Sequence, residues 1–242
     1  MSLDYRFNQW YWGFVDWLFP PICGGCGKAG SRWCQDCQQQ LKFLTEPVCQ
    51  ACGLPLSHSG FCVECAASRP PYDMLRSWVV FEGPIRRAIH TLKYRRNTSL
   101  GEIFGRYLAG YVRELNWNVD LVVPVPLGRL RKKARGYNQA ELLALPLSIF
   151  QKWRYSKDAV SRIRETKTQV GLNAKERMEN LANAFCANPV FVEGKSILLV
   201  DDVATTGATL ANCSEAILHA GATNVYTLTL ARALPYHGLK IV

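Results

Sequence analysis

The sequence lacks any long apolar run, since no stretch approaches the roughly 18 consecutive apolar residues that a helix needs to cross a bilayer. It also lacks a secretory signal, because Asp4 and Asp16 interrupt the aromatic first segment and no small-residue cleavage site follows. No repeat or low-complexity tract occurs outside a cysteine-rich region, and 48% hydrophobic with 20% charged residues is typical of a folded protein. We therefore expect a cytoplasmic protein without integral membrane insertion.

The first segment does contain one structural pattern. Trp10, Phe14, Trp17 and Leu18 fall at helical spacing, so residues 1–22 are predicted to hold a short amphipathic helix. We expect this helix to pack against the rest of the protein, and contact with a membrane surface is the alternative.

The net charge of +10 is distributed unevenly along the 242 residues. Residues 1–70 are formally neutral, with five Lys/Arg and five Asp/Glu, so the whole excess lies in residues 71–242. Two basic clusters stand out there, and they comprise Arg86, Arg87, Lys93, Arg95 and Arg96, and then Arg129, Arg131, Lys132, Lys133 and Arg135. Each cluster is a candidate for contact with the phosphates of a small ligand or of nucleic acid, and a solvated helix face is the alternative.

Eight of the ten cysteines form four CxxC pairs within 43 residues. Two such pairs can complete a tetrahedron around one metal ion, so the spacing predicts two closed structural zinc sites. The predicted ligands are Cys23, Cys26, Cys34, Cys37, Cys49, Cys52, Cys62 and Cys65. Sequential pairing into Cys23/26/34/37 and Cys49/52/62/65 is the simplest arrangement, and an interleaved one stays open. A disulfide framework is the alternative, but it needs an oxidising compartment.

The cysteine-rich region, residues 23–68, is too short to build a sufficient hydrophobic core. Metal binding is therefore expected to supply much of its folding free energy. We predict that chelation unfolds residues 23–65 and leaves the later domain folded. His58 lies inside the second site's loop and is expected to be a surface residue, while Cys186 and Cys213 are expected to be small core residues.

Residues 72–242 alternate predicted strands and helices, which is typical of an α/β domain with a mainly parallel sheet. Strands are predicted at Ser77–Phe81, Asp120–Val125, Lys195–Val200 and Val225–Leu230. Helices are predicted at Pro84–Lys93, Ser99–Leu115, Asn138–Ile149 and Thr209–Ala220, with Pro146 a candidate for an earlier end of the third.

A candidate phosphate site lies at the end of a predicted central strand, in the segment ILLVDDVATTGAT (Ile197–Thr209). A loop that opens a helix presents backbone N–H groups and the positive end of the helix dipole, so a phosphomonoester can bind there. The two adjacent carboxylates suit the vicinal hydroxyls of a sugar or a metal ion. The predicted ligand-binding residues of this segment are Asp201, Asp202, Val203, Ala204, Thr205, Thr206, Gly207, Ala208 and Thr209.

The segment resembles the phosphoribosyl-pyrophosphate signature of type I phosphoribosyltransferases. The whole chain is similar to the ComF family, which is associated with natural competence and DNA utilisation. The matching residues are the four CxxC pairs, Ile89–Tyr94, Val123–Leu127, Arg135–Ala140, and Arg162, Arg164, Thr166, Gln169, Leu172, Arg177 and Asn180. The resemblance implies a type I phosphoribosyltransferase fold preceded by a double zinc ribbon.

The resemblance also implies roles for individual residues toward 5-phosphoribosyl 1-pyrophosphate (PRPP) and Mg²⁺. Asp201 and Asp202 would hold the ribose 2- and 3-hydroxyls, and Thr205–Thr209 would hold the 5-phosphate. Val123–Leu127 takes the place expected for the pyrophosphate loop, and Arg162–Arg177 resembles a loop that closes over the substrate. The candidate catalytic residues are Asp201, Asp202, Lys93 and Arg135.

Three functions stay open at this point. The first is transfer of phosphoribose to an amine-bearing acceptor, serving DNA uptake or utilisation. The second is a non-catalytic accessory or sensor protein that keeps the PRPP pocket and binds single-stranded DNA, with competence-machinery proteins as further candidate partners. The third is a nucleobase salvage enzyme, although no base-recognition element is identifiable in the sequence.

Overall fold

A computed structural model describes residues 20–94, 97–164 and 184–234 of the chain. The cysteine-rich region contains two short helices, α1 (Gln35–Gln39) and α2 (Val63–Ala67), and a cysteine directly precedes each. The helix predicted within residues 1–22 lies almost entirely outside the described residues and stays a prediction. Within the described ranges, no helix is both long and apolar enough to cross a bilayer.

The rest of the described chain alternates strands and helices, as the hydrophobic pattern predicts. Its strands are β1 (Met74–Val80), β2 (Leu121–Pro124), β3 (Arg154–Tyr155), β4 (Val160–Arg162), β5 (Phe185–Ala187), β6 (Ser196–Ala204) and β7 (Asn224–Arg232). Its helices are α3 (Gly83–Tyr94), α4 (Ser99–Glu114), α5 (Arg129–Arg135), α6 (Gln139–Gln151), α7 (Pro189–Val192) and α8 (Ala208–His219).

Five of the strands form one parallel sheet in the order β1-β7-β6-β2-β3, which confirms the mainly parallel sheet. Strands β4 and β5 form a separate antiparallel pair. Because β6 lies at the centre, its carboxyl end opens between the ends of β2 and β7. This is the edge at which open α/β sheets bind ligands.

The two faces of β6 are buried under different helices, because successive strand residues point to opposite sides. Leu198 and Val200 belong to the larger core cluster, which contains residues of α3, α4 and α6 such as Phe104. Ile197 and Leu199 belong to a second cluster that contains α8. The domain therefore has three layers, with helices on both faces of the sheet.

The cysteine-rich region is packed onto this domain in two ways. Its second cysteine group and the connection between the two groups lie along the free edge of β1, where the Leu75 amide donates to the Ala51 carbonyl at 2.7 Å and the Val80 amide to the Lys42 carbonyl at 2.8 Å. Its first half enters the larger core cluster, and the ring of Trp33 meets that of Phe104 with centroids 5.1 Å apart. The cysteine-rich region and the α/β domain therefore share part of one hydrophobic core, although the sequence changes character near residue 72.

Several predicted element bounds differ from the structure. The first strand begins three residues earlier than predicted, at Met74, and the last one extends to Arg232. The central strand continues to Ala204, because its residues 201–204 pair with residues 229–232 of β7. The helix containing Pro146 continues to Gln151, packed so closely on α4 that a Cβ on Gly105 would lie 2.8 Å from the Leu143 carbonyl oxygen. Helix α5, strand β3 and the β4–β5 pair were not predicted as elements.

Candidate functional site

The eight CxxC cysteines form two groups of four in the sequential order, within each of which all sulfur atoms lie within 4.8 Å of one another. The Sγ atoms of Cys23 and Cys37 are 3.7 Å apart, and so are those of Cys52 and Cys62. Four sulfurs bound at about 2.3 Å to one zinc ion lie about 3.8 Å apart, so both groups fit a tetrahedral zinc site. These separations far exceed the roughly 2.05 Å of a disulfide bond.

Backbone amides prepare one thiol of each group for metal binding. Burial raises the pKa of Cys23, but amides of Cys26, Cys34 and Gly25 outweigh it and lower the pKa to about 6. The pKa of Cys49 is lowered to about 7 in the same way. A thiol that ionises near neutral pH is a ready zinc ligand.

The sequence predicted the positions of three further residues, and the structure agrees with two of these predictions and corrects the third. His58 belongs to neither sulfur group and is exposed, with its Nδ1 3.1 Å from the Ser57 hydroxyl. Cys213 is buried in α8, whereas Cys186, expected in the core, is exposed on β5. Cys186 alternates with buried neighbours on a short strand, which explains its exposure.

The acidic pair lies within β6, near its carboxyl end, rather than after it, so its two side chains point to opposite faces of the sheet. Asp202 is 3% exposed and faces α3. Asp201 lies on the same face as Ile197 and Leu199, which pack in the cluster that contains α8. The pair therefore contacts both layers that flank the carboxyl end of the sheet.

Lys93, at the end of α3, lies beside the acidic pair. Its Nζ lies 2.6 Å from Oδ2 of Asp202, and its side chain is 23% exposed. That oxygen has no well-aligned hydrogen-bond donor among the described residues, so the contact is an ion pair. Lys93 thus carries positive charge into the site and pairs it with one carboxylate.

The other carboxyl group of the pair, that of Asp201, has a raised pKa. Burial and the neighbouring Asp202 carboxylate raise the pKa of Asp201 to about 8, although the Asp202 amide and Lys93 act in the opposite direction. The Asp202 amide donates to Asp201 Oδ1 at 2.8 Å. Asp201 consequently binds a proton more readily than an ordinary carboxyl group does.

The loop between β6 and α8 has the geometry of an anion site. Gly207 caps α8 with φ of 80°, a left-handed conformation that favours glycine. The Tyr72 hydroxyl lies close to this glycine, because a Cβ on Gly207 would be 3.2 Å from it. Thr206 is exposed, and its hydroxyl accepts from the Ala208 amide at 3.4 Å. The backbone amides of the first turn of α8 therefore lie at the carboxyl end of β6, where they can donate to an anion.

A basic cavity of about 300 Å³ adjoins the Lys93–Asp202 pair. Its lining residues are Lys93, Tyr94, Arg131, Ala134, Arg135 and Tyr137. The Arg135 guanidinium lies 5.0 Å from the centre of the Tyr94 ring and donates to Gln139 at 2.8 Å. The structure thus brings Arg135 to the cavity that Lys93 lines, and it adds Arg131 and two tyrosines to which sequence analysis assigned no individual role.

The segment around Val125 and Pro126, expected to form the pyrophosphate loop, makes hydrogen bonds within the protein. The Val125 amide donates to the Val200 carbonyl at 2.9 Å, and its carbonyl accepts from the buried Asn138 side chain at 2.9 Å. Both backbone groups of Val125 are therefore used within the protein. Asn138 also caps α6, so it joins the end of β2 to that helix. Pro126 is half-buried beside them.

Part of the implied substrate loop and of the first basic cluster lies outside the described residues. The residues concerned are Arg95, Arg96, Thr166, Gln169, Leu172, Arg177 and Asn180. Arg162 ends β4 and is described, and the segment predicted to close over the substrate connects β4 to β5.

A three-layer α/β fold, an acidic pair on the central strand, a helix-opening loop and two four-cysteine groups define the class: a phosphoribosyl transferase domain with a double zinc ribbon. Comparison with known families agrees. The double zinc ribbon domain matches residues 14–66, and the phosphoribosyl transferase domain matches residues 90–238.

Similar proteins give the particular family. The DNA utilization protein YhgH of Escherichia coli (strain CFT073) is 34% identical over 225 residues, which cover 89% of this chain and 98% of YhgH. Competence protein F of Haemophilus influenzae is 33% identical over 208 residues, covering 83% and 90%. The chain belongs to the ComF family of phosphoribosyl transferase domain proteins, as the sequence motifs predict.

Among solved structures, a Bacillus subtilis glutamine phosphoribosylpyrophosphate amidotransferase complexed with ADP and GMP has a TM-score of 0.39 and 20% identity. The match covers 55% of this chain and only 26% of that one, so the chain spans about a quarter of its length. The fold assignment rests on the sheet topology and the family match.

Proposed function

We propose that this chain binds PRPP together with Mg²⁺ at the carboxyl end of β6 and acts in the cytoplasm as a phosphoribosyltransferase that serves DNA uptake or utilisation. The names of the relatives, a DNA utilization protein and a competence protein, support the process. The family membership supports the ligand.

The observation that carries the proposal is the placement of the acidic pair between a cation and an anion-binding loop. Asp201 and Asp202 accept hydrogen bonds from ribose hydroxyls, while Thr205–Thr209 offers hydroxyls and first-turn amides to the 5-phosphate. A capped helix after a strand explains neither the adjacent carboxylates nor the partly buried Lys93 beside them.

The residues fit the metal in one respect. Two carboxylates are hard oxygen ligands of the kind Mg²⁺ prefers, and they are too few for a site made of protein alone, which suits a Mg²⁺ that arrives with phosphates. When bound, the metal neutralises charge on the pyrophosphate.

Transfer breaks the bond between C1 of the ribose and the pyrophosphate oxygen, which leaves with the electron pair. A nitrogen of the acceptor then bonds to C1 and loses its proton. The residues that stabilise the departing charge are the cations of the adjoining cavity, Lys93, Arg131 and Arg135.

The first experiment is a calorimetric titration of the zinc-loaded protein with Mg²⁺ and PRPP. Each charged hydrogen bond is worth about 1.5–3 kcal/mol, so we expect Asp201→Asn or Asp202→Asn to weaken affinity about 10- to 100-fold and the double variant to weaken it further. Glu215→Gln removes an exposed carboxylate from α8 and serves as the matched control. Equal affinity in all variants, or none in the wild type, refutes the proposal.

A second experiment separates transfer from binding. Pyrophosphate release is measured with PRPP and a panel of nucleobases, amines and single-stranded DNA as acceptors. Release with a free base identifies a salvage enzyme, and release with another amine identifies a different transferase. Tight PRPP binding with no release under any condition identifies the non-catalytic alternative.

Binding of single-stranded DNA is a second candidate function, and helix α5 favours it. Five of its seven residues are basic, and none of the seven is buried. Lys132 and Lys133 are exposed, and Tyr94, under the Arg135 guanidinium, is 57% exposed. Cations beside an accessible ring are typical of a surface for unpaired bases.

This candidate is tested by fluorescence anisotropy on oligothymidine at several salt concentrations. We expect Arg129→Gln/Lys132→Gln/Lys133→Gln to lower the slope of log K against log salt by about 0.7 for each phosphate that the variant no longer neutralises. If the affinity for DNA does not depend on salt concentration, α5 is not the DNA-binding surface. The same conclusion follows if the triple variant binds DNA with the wild-type affinity and slope.

A further inference from the structure

A buried cation lies at the end of β7. Arg232 is 5% exposed, and its Nε and Nη1 are fully buried with no hydrogen-bond partner in the part of the chain that the structure describes. Burying an unpaired guanidinium is costly, and buried charges are normally paired. The chain therefore holds a positive charge for which the described residues supply no counter-ion.

The backbone around Arg232 is held firmly at the ligand edge of the sheet. Arg232 pairs in register with Ala204, the last residue of β6, and with Val80 of β1. The Phe81 amide donates to its carbonyl at 2.7 Å, and the Ala233 amide donates to the Ala204 carbonyl at 2.9 Å. The side chain therefore starts directly beside the point at which the loop to α8 begins.

Tyr72 connects this guanidinium with the loop itself. The charge of Arg232 acts on the Tyr72 hydroxyl and opposes the rise in its pKa that burial causes. The same hydroxyl lies 3.2 Å from the position of a Cβ on Gly207, inside the loop. Tyr72 therefore lies next to Gly207 and within electrostatic reach of the buried Arg232.

We infer that Arg232 is the counter-ion for a phosphate monoester held by the loop Thr205–Thr209, so that it selects phosphorylated sugars over unphosphorylated ones. This inference rests on the proposed function. Amides and hydroxyls can orient a phosphate, but they carry no net charge, and a nearby cation stabilises a bound dianion further. Arg232, whose backbone pairs with the last residue of β6, supplies that cation.

The test uses two readouts on full-length, zinc-loaded protein: the thermal midpoint without ligand, and the affinity for Mg²⁺-PRPP and for ribose 5-phosphate. Arg232→Met removes the unpaired charge, so we expect an unchanged or higher midpoint together with about 10- to 100-fold weaker binding of both ligands. Arg232→Lys keeps the charge but loses the planar fork, so we expect a smaller loss.

The outcomes separate this inference from the proposed function. If the wild type binds PRPP, Asp201→Asn/Asp202→Asn abolishes it and Arg232→Met binds normally, the inference is wrong and the proposed function stands. If Arg232→Met and Arg232→Lys both lower the midpoint and the affinity equally, Arg232 is structural and the inference is overturned. If the wild type itself does not bind PRPP, the proposed function fails and the inference fails with it.

Discussion

The two zinc sites have similar sequences and geometry, but they are connected to the rest of the molecule differently. The first site, residues 23–37, contributes Cys23 and Cys37 to the larger core cluster beneath α3 and α4. The second site, residues 49–65, has a small cluster of its own and meets the domain mainly through the edge of β1. One site is part of the core, and the other covers an edge that would otherwise be free to pair with another chain.

This difference extends to the ligand site. The first site packs on α3, whose end carries Lys93 to Asp202. The second site lies next to Leu75 and Tyr72, and both approach Gly207 of the phosphate loop. Each zinc site therefore supports one side of the candidate PRPP pocket, and neither is a separate appendage.

The largest expected effect comes from removing two ligands of the first site. Cys23→Ser/Cys37→Ser deletes the metal and leaves hydroxyls in the main core, so we expect a loss of at least about 3 kcal/mol in the free energy of unfolding of the whole domain. Chemical denaturation monitored by hydrogen exchange of β6 and β7 measures it. This replaces the expectation that the later domain is indifferent to chelation.

The matched pair for the second site is Cys49→Ser/Cys65→Ser. We expect loss of protection in residues 49–65 and along β1 with a smaller global change, because this cluster is separate from the sheet core. Cys186→Ser, an exposed cysteine outside both sites, is the neutral control. Equal global losses from both double variants would contradict the comparison.

The next effect compares the glycines that follow the second cysteine of the first CxxC pair in each site. Gly27 and Gly53 both have positive φ, 81° and 66°, so alanine at either costs about 1–3 kcal/mol. A Cβ on Gly53 also lies 2.5 Å from the Leu75 carbonyl oxygen, whereas one on Gly27 meets nothing within 4 Å. We expect Gly53→Ala to lower the thermal midpoint more, and the reverse order would show that the β1 contact is unimportant.

A smaller effect concerns the ion pair on the side of the first site. Lys93→Met leaves the buried Asp202 carboxylate unpaired, so we expect a cost of about 1–2 kcal/mol, reduced from the fully buried case by the partial exposure of Lys93. In a double-mutant cycle, Asp202→Asn should recover part of this loss. Additive losses would mean that the two side chains do not interact in solution.

The last comparison concerns the pH dependence of stability and the carboxyl group of Asp201, on the opposite face of β6. Its folded-state pKa, about 8, lies above the unfolded value, so the folded protein binds the proton more tightly and loses stability as pH rises from about 4 to about 8. Comparing the pH dependence of the thermal midpoint with that of Asp201→Asn isolates this contribution. A wild-type curve parallel to that of the variant would show an ordinary carboxyl group.

Most of this architecture is predictable from the sequence because its signals are local. CxxC spacing predicts the zinc ligands, alternation of strands and helices predicts the parallel sheet, and the acidic pair before a Thr- and Gly-rich loop predicts the position of the candidate site. These patterns depend on neighbours in the chain, so no knowledge of packing is required.

The features that were missed depend on contacts distant in sequence. The extension of β6 to Ala204 follows from pairing with β7, and the continuation of α6 past Pro146 follows from packing on α4. Arg232 has no motif, and it becomes notable only because the fold buries it beside Ala204 without a partner among the described residues. No local pattern in the sequence indicates such a juxtaposition.

The measurement that tests the central claim most directly is hydrogen exchange of the zinc-loaded protein with and without Mg²⁺-PRPP. We expect slower exchange at residues 203–210 and at the end of α3, with α1 and α2 unchanged. Protection confined to α5, or no change at residues 203–210 at saturating ligand, would contradict a PRPP site at the carboxyl end of β6.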